Sequence, residues 1–310
     1  MSEPARAVKL SCRNLWKIYG PQAASYGATG KLPAGERAEI RQQLQATNHL
    51  AAVIDASFDV HVGEIFVIMG LSGSGKSTLV RCLSRLVEPT SGEVLLDGDD
   101  LLKATAPQLI ELVGLHGRER SFPHQLSGGQ QQRVGIARSL AVGPALWFLD
   151  EPFSALDPLI RRQMQDEFLR LQRMLHKTIV FITHDILEAF RLADRIAIMR
   201  EGEVIQIGRP ADIVLNPADG YVAEFTEDVP LMRIISAGDL VRAGHIAAKA
   251  NGHFADHVPE STKLEDLVPR LAAGAAGFAV DGEDGRPMGG FEAAAVFDVL
   301  SRDRQRRKGR

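Results

Sequence analysis

Residues 70–78 combine glycines, a lysine and hydroxyl side chains at the spacing of a phosphate-binding loop. The segment fits the pattern G-x-x-x-x-G-K-[ST], and it lies between an apolar run, Ile65–Met69, and a predicted helix from Ser77 to Leu86. Glycines let successive backbone N–H groups point at phosphate oxygens, and the helix N-terminus attracts anions. A glycine-rich turn that matches by accident is the alternative, and the flanking strand and helix disfavour it. The candidate phosphate-binding residues are Gly70, Ser72, Gly73, Ser74, Gly75, Lys76, Ser77 and Thr78.

Three of these side chains have separate expected roles. The Lys76 ammonium supplies a positive charge to the β- and γ-phosphates of a nucleoside triphosphate, and Thr78 helps to hold the α-phosphate. The Ser77 hydroxyl is a hard oxygen ligand of the kind that Mg²⁺ prefers. The loop therefore predicts a bound nucleoside triphosphate and a bound Mg²⁺.

Polar residues follow two further apolar runs. Leu146–Leu149 ends in Asp150 and Glu151, and alone this pattern could be a strand followed by a solvated turn. Beside a phosphate-binding loop, Asp150 is the expected holder of Mg²⁺ and Glu151 the base that polarises an attacking water. His184 follows the run Thr178–Thr183. Standing alone it would be a helix-capping or core histidine, whereas here we expect it near a γ-phosphate.

A second glycine motif, LSGGQQQR at residues 126–133, begins a predicted helix that runs through Leu140. Its serine hydroxyl and its glycine N–H groups can face phosphate, and the dipole of the following helix adds positive potential. We therefore predict a second anion site. Its candidate residues are Ser127, Gly128, Gly129 and Gln130.

The pattern around these motifs predicts an α/β fold. A short strand-like start, Val8–Leu10, precedes a polar excursion at 21–48 that contains a helix-like stretch, Ala34–Leu44. From Val53 to Gly208, short apolar runs alternate with amphipathic helical stretches, which is typical of a parallel sheet with helices on both faces. Ligands bind beyond the carboxyl ends of strands in such sheets. We therefore expect the motifs to meet at that edge.

Composition excludes several classes of protein. The net charge is −3 and the basic residues are scattered apart from the last nine, so we expect no nucleic-acid partner. The two cysteines, Cys12 and Cys82, have no Cys/His cluster near them, which disfavours a disulfide framework or a zinc site and fits a reducing cytosol. The apolar runs are too short to span a bilayer, and we expect neither secretion nor membrane insertion.

Taken together, the motifs resemble the ATP-binding-cassette (ABC) family. The first glycine loop matches its P-loop, residues 126–133 its signature, and Asp150 and Glu151 its Mg²⁺ aspartate and catalytic glutamate; Ser154–Asp157 and His184 match its D-loop and switch histidine. The resemblance implies a P-loop ATPase in which two subunits sandwich two ATP molecules. The signature of one subunit faces the P-loop of the other, so a homodimer completes each site, with Asp157 among the ATP-site residues.

The adenine-stacking aromatic of that family has two candidates here. Tyr19, ahead of Gly20, matches its place, and Trp16 is a weaker rival. A core role for either ring is the structural alternative.

Finer resemblance is to the ATPases of glycine betaine/proline/choline importers, carried by Gly63–Ser72, Phe153–Gln172 and the excursion at 21–48. It implies that ATP hydrolysis drives uptake of a quaternary-ammonium or related osmolyte. The implied partners are an integral-membrane permease and, indirectly, a substrate-binding protein. The implied location is peripheral, on the cytoplasmic face of the inner membrane, and the solute itself is bound by other subunits.

We predict three regions: a nucleotide-binding domain at 1–230 with a surface insert at 21–48, a C-terminal region at 231–301, and a basic tail at 302–310. Between Val258 and Leu300 the pattern reads helix, strand (Phe278–Val280), turn, strand (Pro287–Phe291), helix, which resembles one half of a CBS module. Such modules occur in tandem, so we expect structural decoration here rather than regulation. The tail is expected to be solvated and disordered, with contact to anionic lipid headgroups as the alternative.

One departure from the ABC pattern concerns the segment before residue 126. The family places there a strand ending in a Q-loop glutamine and then a helical subdomain, whereas residues 98–127 offer only one helix-like stretch, Pro107–Val113. Gln108 and Gln125 lie outside the pattern, so neither is assigned as the Q-loop residue. We expect a reduced helical subdomain, and its loss is expected to uncouple ATP hydrolysis from transport. The alternatives to an importer ATPase are an ATP-binding subunit that is hydrolysis-defective or uncoupled, and a soluble ABC ATPase without a transport role.

Overall fold

The structure is a computed structural model that describes residues 6–23, 26, 37–100, 146–244, 254–282 and 284–308. The chain divides into two compact units, Met1–Ile207 and Gly208–Arg310. The boundary predicted after residue 230 lies inside the second unit. In the described part of the chain, no helix has the length and apolar character that crossing a membrane requires.

The first unit contains the strands and helices that carry the motifs. Its strands are β1 (Val8–Tyr19), β2 (Leu50–His61), β3 (Ile65–Met69), β4 (Ser91–Leu96), β5 (Asp99–Asp100), β6 (Leu146–Asp150), β7 (Thr178–Ile182), β8 (Arg195–Arg200) and β9 (Glu203–Gly208). Its helices are α1 (Arg37–Ala46), α2 (Lys76–Leu83), α3 (Pro158–Leu175) and α4 (Ile186–Leu192).

A five-stranded sheet with the order β6-β7-β3-β8-β9 positions the motifs. β6, β7, β3 and β8 are parallel, and β3 and β7 are buried along their whole length. Burial on both faces explains their unbroken apolar sequences. The predicted strands are confirmed to within a residue, and their carboxyl ends lie at one edge of the sheet, as expected.

The second sheet of this unit is antiparallel, with the order β2-β1-β4-β5. β1 extends from Val8 to Tyr19, well beyond the predicted Val8–Leu10, and its pairing with β2 contains several register shifts. Those irregularities interrupt the strict alternation of apolar and polar residues that indicates a strand. The core between the sheets includes Leu10, Cys12, Phe66, Leu79, Cys82 and Val180.

The excursion between β1 and β2 contains α1, three residues later than the predicted helical stretch. Ile40 and Leu44 of α1 are buried and pack against Trp16, Ile18 and Ile54. The sequence analysis predicted a surface insert, and for this face of α1 that prediction is wrong. Because Ile40 and Leu44 are four residues apart, they lie on one side of the helix and cover a small apolar cluster.

Two helices of this unit follow motifs directly. α2 ends at Leu83, not at Leu86, because the Ser84 hydroxyl donates to the Val80 carbonyl and Arg85 adopts a left-handed conformation (φ 55°). α3 begins after Asp157, whose side chain accepts a hydrogen bond from the Ile160 N–H. Both ends use ordinary capping chemistry.

The second unit is mainly helical with one small sheet. Its helices are α5 (Pro210–Leu215), α6 (Gly220–Phe225), α7 (Leu231–Ile234), α8 (Ala237–Arg242), α9 (Leu264–Ala272) and α10 (Ala293–Lys308), and its strands are β10 (His257–Pro259), β11 (Gly277–Asp281) and β12 (Pro287–Glu292). The predicted order of helix, strand, strand and helix is confirmed. α10 continues to Lys308, so the prediction of a disordered end from Arg302 is wrong for the backbone of residues 302–308.

Candidate functional site

Lys76 lies at the start of α2 and is 8% exposed. Its Nζ donates to the carbonyl oxygens of Gly70 (2.8 Å) and Leu71 (2.9 Å), so the loop curls around its own lysine. Burial lowers the pKa of Lys76, and the negative charges of Glu151 and Asp150 partly oppose that effect. The phosphate-binding loop and the paired carboxylates therefore occupy one electrostatic site.

Two loop glycines have no room for a side chain. A Cβ on Gly70 (φ 152°) would lie 2.2 Å from the Met199 carbonyl oxygen, and one on Gly75 (φ 97°) would lie 2.2 Å from the Ala52 carbonyl oxygen. Both approaches are closer than any carbon–oxygen contact tolerates. At Gly73 (φ 80°) there is only the backbone conformation to satisfy, because nothing lies within 4 Å. The glycine spacing thus has a packing cause as well as a conformational one.

The remaining loop residues differ in exposure. Ser74 is buried and its carbonyl accepts from the Gly202 N–H (3.0 Å), which fixes the loop to the turn between β8 and β9. Ser72 and Ser77 are exposed and Thr78 is partly buried. Ser72 and Ser77 are therefore accessible to a ligand, while Ser74 has a structural position.

Glu151 and His184 face each other across the ends of β6 and β7. The Nδ1 atom of His184 lies 2.9 Å from Oε1 of Glu151, and the Glu151 N–H donates to the Ile182 carbonyl (3.0 Å). Glu151 also adopts a left-handed backbone conformation (φ 45°), which costs about 1 kcal/mol for a residue with a side chain. Strained conformations of this kind cluster at functional sites. The structure thus brings together the two residues predicted to be catalytic.

Asp150 and Ser77 are the candidate Mg²⁺ ligands, and both side chains are exposed. A hydroxyl and a carboxylate fit Mg²⁺, which takes few protein ligands and fills its octahedron with water and phosphate oxygens. The described residues contain no cluster of three or more His, Cys, Asp or Glu side chains that could hold a metal.

The segment after Glu151 forms a compact turn that leads into α3. The Ser154 hydroxyl donates to the Glu151 carbonyl (3.0 Å), and the Leu156 N–H donates to the Phe153 carbonyl (3.3 Å). Asp157, predicted as an ATP-site residue, uses Oδ1 to accept the Ile160 N–H at 3.1 Å. In this structure its side chain is the N-cap of α3.

The two candidate aromatic rings are in different environments. Trp16 is 6% exposed and belongs to the apolar cluster under α1, so it cannot stack on a ligand. Tyr19 is 41% exposed, with the Lys17 ammonium 4.9 Å from its ring centroid. Of the two rings, only Tyr19 is accessible.

The second glycine motif lies outside the described residues. That holds for Ser127, Gly128, Gly129 and Gln130, and also for Gln108 and Gln125.

Sequence reasoning missed a polar network between α3 and α4. Arg161 reaches Asp185, and the buried Glu188 carboxylate accepts from the Gln165 side chain (3.1 Å). Burial raises the pKa of Glu188, and hydrogen bonds from Thr183 and Gln165 oppose that effect. Asp185 had a detectable signal, because an acidic residue just before an apolar helical stretch is a typical N-cap.

Comparison with known proteins identifies the family. A family model described as ABC transporter matches residues 53–115 and 103–154. The trimethylamine N-oxide transport ATP-binding protein TmoW of Ruegeria pomeroyi is 44% identical over 94% of this chain and 96% of its own length. The chain belongs to the ABC transporter ATP-binding family. The glycine betaine/proline betaine transport ATP-binding protein ProV of Escherichia coli is 43% identical, over 76% of this chain and 70% of its own length.

Comparison with solved structures leads to the same family. A dimeric ATP-binding cassette bound to ADP and Pi in a post-hydrolysis state is 26% identical and has a TM-score of 0.50, covering 65% of this chain and 98% of that one. The P-loop ATPase fold predicted from the motifs is thereby confirmed.

The alignment with the Ruegeria protein has gaps in this chain. The alignment with the Ruegeria protein has 344 positions but includes 94% of the 310 residues here, about 291, so about 50 positions face gaps in this chain. The family model also matches in two segments whose ranges overlap at 103–115. This chain therefore lacks about 50 residues that the relative has.

Proposed function

We propose that this chain is the ATP-hydrolysing subunit of an importer for a small methylated amine of the trimethylamine N-oxide and betaine class. The observation that carries the proposal is the cluster of Lys76, Glu151 and His184 at one edge of the parallel sheet, in a chain whose relatives are transport ATP-binding proteins. The TmoW relatives match nearly the whole chain, whereas ProV matches about three quarters of it. That difference favours trimethylamine N-oxide as the solute to test first.

In the proposed mechanism the P-loop holds the triphosphate. Backbone N–H groups of the loop face the β-phosphate, and Lys76 exchanges its carbonyl partners for phosphate oxygens. Ser77 and Asp150 would hold Mg²⁺, which would neutralise phosphate charge. Glu151 accepts the proton of the attacking water, and His184, 2.9 Å away, orients that carboxylate and donates toward the γ-phosphate. Tyr19 stacks on the adenine.

The proposed assembly is a nucleotide-sandwich homodimer on the cytoplasmic face of the inner membrane. It works with an integral-membrane permease and, through it, with a substrate-binding protein. The residues of the second glycine motif, 127–130, complete the site of the opposite subunit. Support comes from the dimeric cassette among the similar structures and from the transport systems named for the relatives.

A Glu151→Gln variant tests the catalytic assignment. It should bind MgATP as the parent does but release phosphate at least about 100-fold more slowly, because the amide cannot accept a proton. An ATP-bound dimer should accumulate and be visible by size-exclusion chromatography. Glu167→Gln, an exposed carboxylate on α3, is the control and should leave turnover unchanged. Parent-like turnover by Glu151→Gln would show that another group is the base.

The gap favours a second candidate, an ATP-binding subunit that is uncoupled from transport. The roughly 50 missing positions and the split family match fit the absent Q-loop segment predicted from residues 98–127. Reconstitution with permease and binding protein in liposomes separates the two candidates. Solute uptake in proportion to ATP turnover supports the importer, and turnover that ignores the permease and yields no uptake supports the uncoupled subunit.

A further inference from the structure

Arg161, in the first turn of α3, contacts both loops that flank the proposed catalytic pair. Its Nη1 donates to Oδ2 of Asp185 (3.2 Å), and its Nη2 donates to the Leu156 carbonyl oxygen (3.2 Å). The side chain is about one third exposed (32%), and its Nε is buried without a partner in the described structure. Because a guanidinium is a rigid planar fork, its two donors fix the relative positions of the two acceptors.

Asp185 connects the first of these contacts to His184. Its Oδ1 accepts from the Leu187 N–H (3.0 Å) and the Glu188 N–H (3.2 Å), which caps α4, while Oδ2 is the partner of Arg161. The residue before it is His184. Arg161 therefore holds the carboxylate that anchors the backbone of the proposed switch histidine.

Leu156 connects the second contact to Glu151. The turn 151–156 is closed by the Ser154 hydroxyl on the Glu151 carbonyl (3.0 Å) and by the Leu156 N–H on the Phe153 carbonyl (3.3 Å). The Leu156 carbonyl is left pointing at Arg161. With the Glu151–His184 contact of 2.9 Å, these links form a closed ring of interactions around the site.

We infer that Arg161 is a positioning residue that couples the turn 151–156 to His184 within one subunit. The inference rests on the proposed function, since it concerns the alignment of Glu151 and His184 for ATP hydrolysis. In the described structure the hydrogen bonds of Arg161 go to Asp185 and Leu156 and not to Glu151 or His184, so its proposed action is indirect. A movement of the turn, for example on contact with a second subunit, passes through the guanidinium to Asp185 and so shifts His184 relative to Glu151.

Arg191 on α4 is a matched control for a purely structural role. Its Nη1 donates to the Gln165 side chain (3.1 Å) and its Nη2 to Asp166 (2.5 Å), so it also joins α3 and α4. Its exposure, 31%, is nearly that of Arg161. The contacts of Arg191 are all on helices, whereas those of Arg161 are on the two loops. Removing either residue loosens the helix pair, and only Arg161 should affect catalysis.

The kinetic test compares Arg161→Gln, Arg161→Lys and Arg191→Gln in the full chain. For Arg161→Gln we expect a kcat for ATP hydrolysis about 10- to 100-fold lower with KM within twofold of the parent, because misplacement of catalytic groups affects turnover rather than binding. Arg161→Lys, which keeps the charge but not the fork, should recover part of the loss. Arg191→Gln should keep the parental kcat. Equal losses in Arg161→Gln and Arg191→Gln, or none in the former, would overturn the inference.

A second variant and a second measurement cover the cases of poor folding or absent turnover. Asp185→Asn keeps the capping oxygen but removes the charge. Because both residues belong to one link, the double variant with Arg161→Gln should have the same kcat as the more impaired single variant. Hydrogen exchange needs no turnover. In Arg161→Gln the amides of residues 153–157 and 184–188 should both exchange about tenfold faster, as expected for loss of a charge-assisted hydrogen bond, and in Arg191→Gln neither segment should change.

Exchange that rises in only one segment, or in both segments of Arg191→Gln, would refute the coupling. A parent chain that hydrolyses no ATP would contradict the proposed function instead, and the exchange result would still decide the role of Arg161.

Discussion

The side chain of Lys76 donates hydrogen bonds to the backbone of its own loop. Its ammonium has two carbonyl partners, from Gly70 and Leu71, and it is almost completely buried. A phosphate that binds here must replace these internal hydrogen bonds, and the exchange is favourable because a hydrogen bond between two ions is stronger than one to a neutral carbonyl. Binding of a phosphate would therefore exchange two internal hydrogen bonds of Lys76 for stronger ionic ones.

Lys76→Ala should abolish stabilisation by ATP. At an MgATP concentration 100 times the dissociation constant, the parent should gain about 2.7 kcal/mol, and the variant should gain almost nothing. The ligand-dependent shift of the melting temperature is the measurement, because loss of the two internal hydrogen bonds also lowers stability without ligand. Arg81→Ala, on the exposed side of α2, is the control and should respond as the parent does.

The motif residues of the site could be predicted because each motif is contiguous in sequence. The role of Arg161 could not, since its contacts depend on how α3 packs beside the α4 cap, which no local pattern encodes. The preference for Tyr19 over Trp16 came from the sequence, because Tyr19 precedes Gly20, and the structure exposes Tyr19 and buries Trp16. Trp16 and Ile18 lie on the face covered by α1, and the alternation of side chains along β1 places Tyr19 on the other face.

At the scale of elements, predictions succeeded where one physical rule dominates. β3 and β7 were predicted from continuous apolar runs, because a strand buried on both faces needs no alternation. The inward face of α1 was missed, because two apolar residues, Ile40 and Leu44, in a largely polar helix resemble a solvated surface segment. Their burial depends on the neighbouring strands, and those strands are irregular.

The loop between β3 and α2 offers a paired test of packing against backbone strain. Gly73→Ala should destabilise the chain by about 1–2 kcal/mol, the effect of a left-handed conformation alone. Gly75→Ala should destabilise it by more, because its new methyl group would also meet the Ala52 carbonyl at 2.2 Å. Urea unfolding without nucleotide measures both. Equal losses would mean that the backbone near Ala52 relaxes freely.

At the scale of the whole molecule, the core of the first unit contains both thiols. Cys12 on β1 and Cys82 on α2 are free and fully buried. Burial raises the pKa of Cys12 to about 12 and that of Cys82 to about 11, from a usual value of 9.0.

These pKa shifts predict how stability depends on pH. Above pH 9 the unfolded chain loses thiol protons that the folded chain retains, so the free energy of unfolding should fall as pH rises from about 9 to about 11. The double variant Cys12→Ala, Cys82→Ala should be less stable at pH 8, because of the cavities left, but should lose less stability over this range. Urea unfolding at pH 8, 9 and 10 compares the two slopes, and identical slopes would contradict the assignment.

The covered cluster beneath α1 also bears on how this chain could be re-engineered. Tyr19 and Leu50 are opposite one another in the β1–β2 ladder, so a short turn could join the strands and remove residues 21–48. The strand ends of such a shortened chain are close enough for a short turn. Trp16, Ile18 and Ile54 would, however, become exposed to solvent, because α1 covers them. Foreign loops should therefore be grafted into the stretch before Arg37, with α1 retained. Deletion of α1 would expose an apolar surface that promotes aggregation.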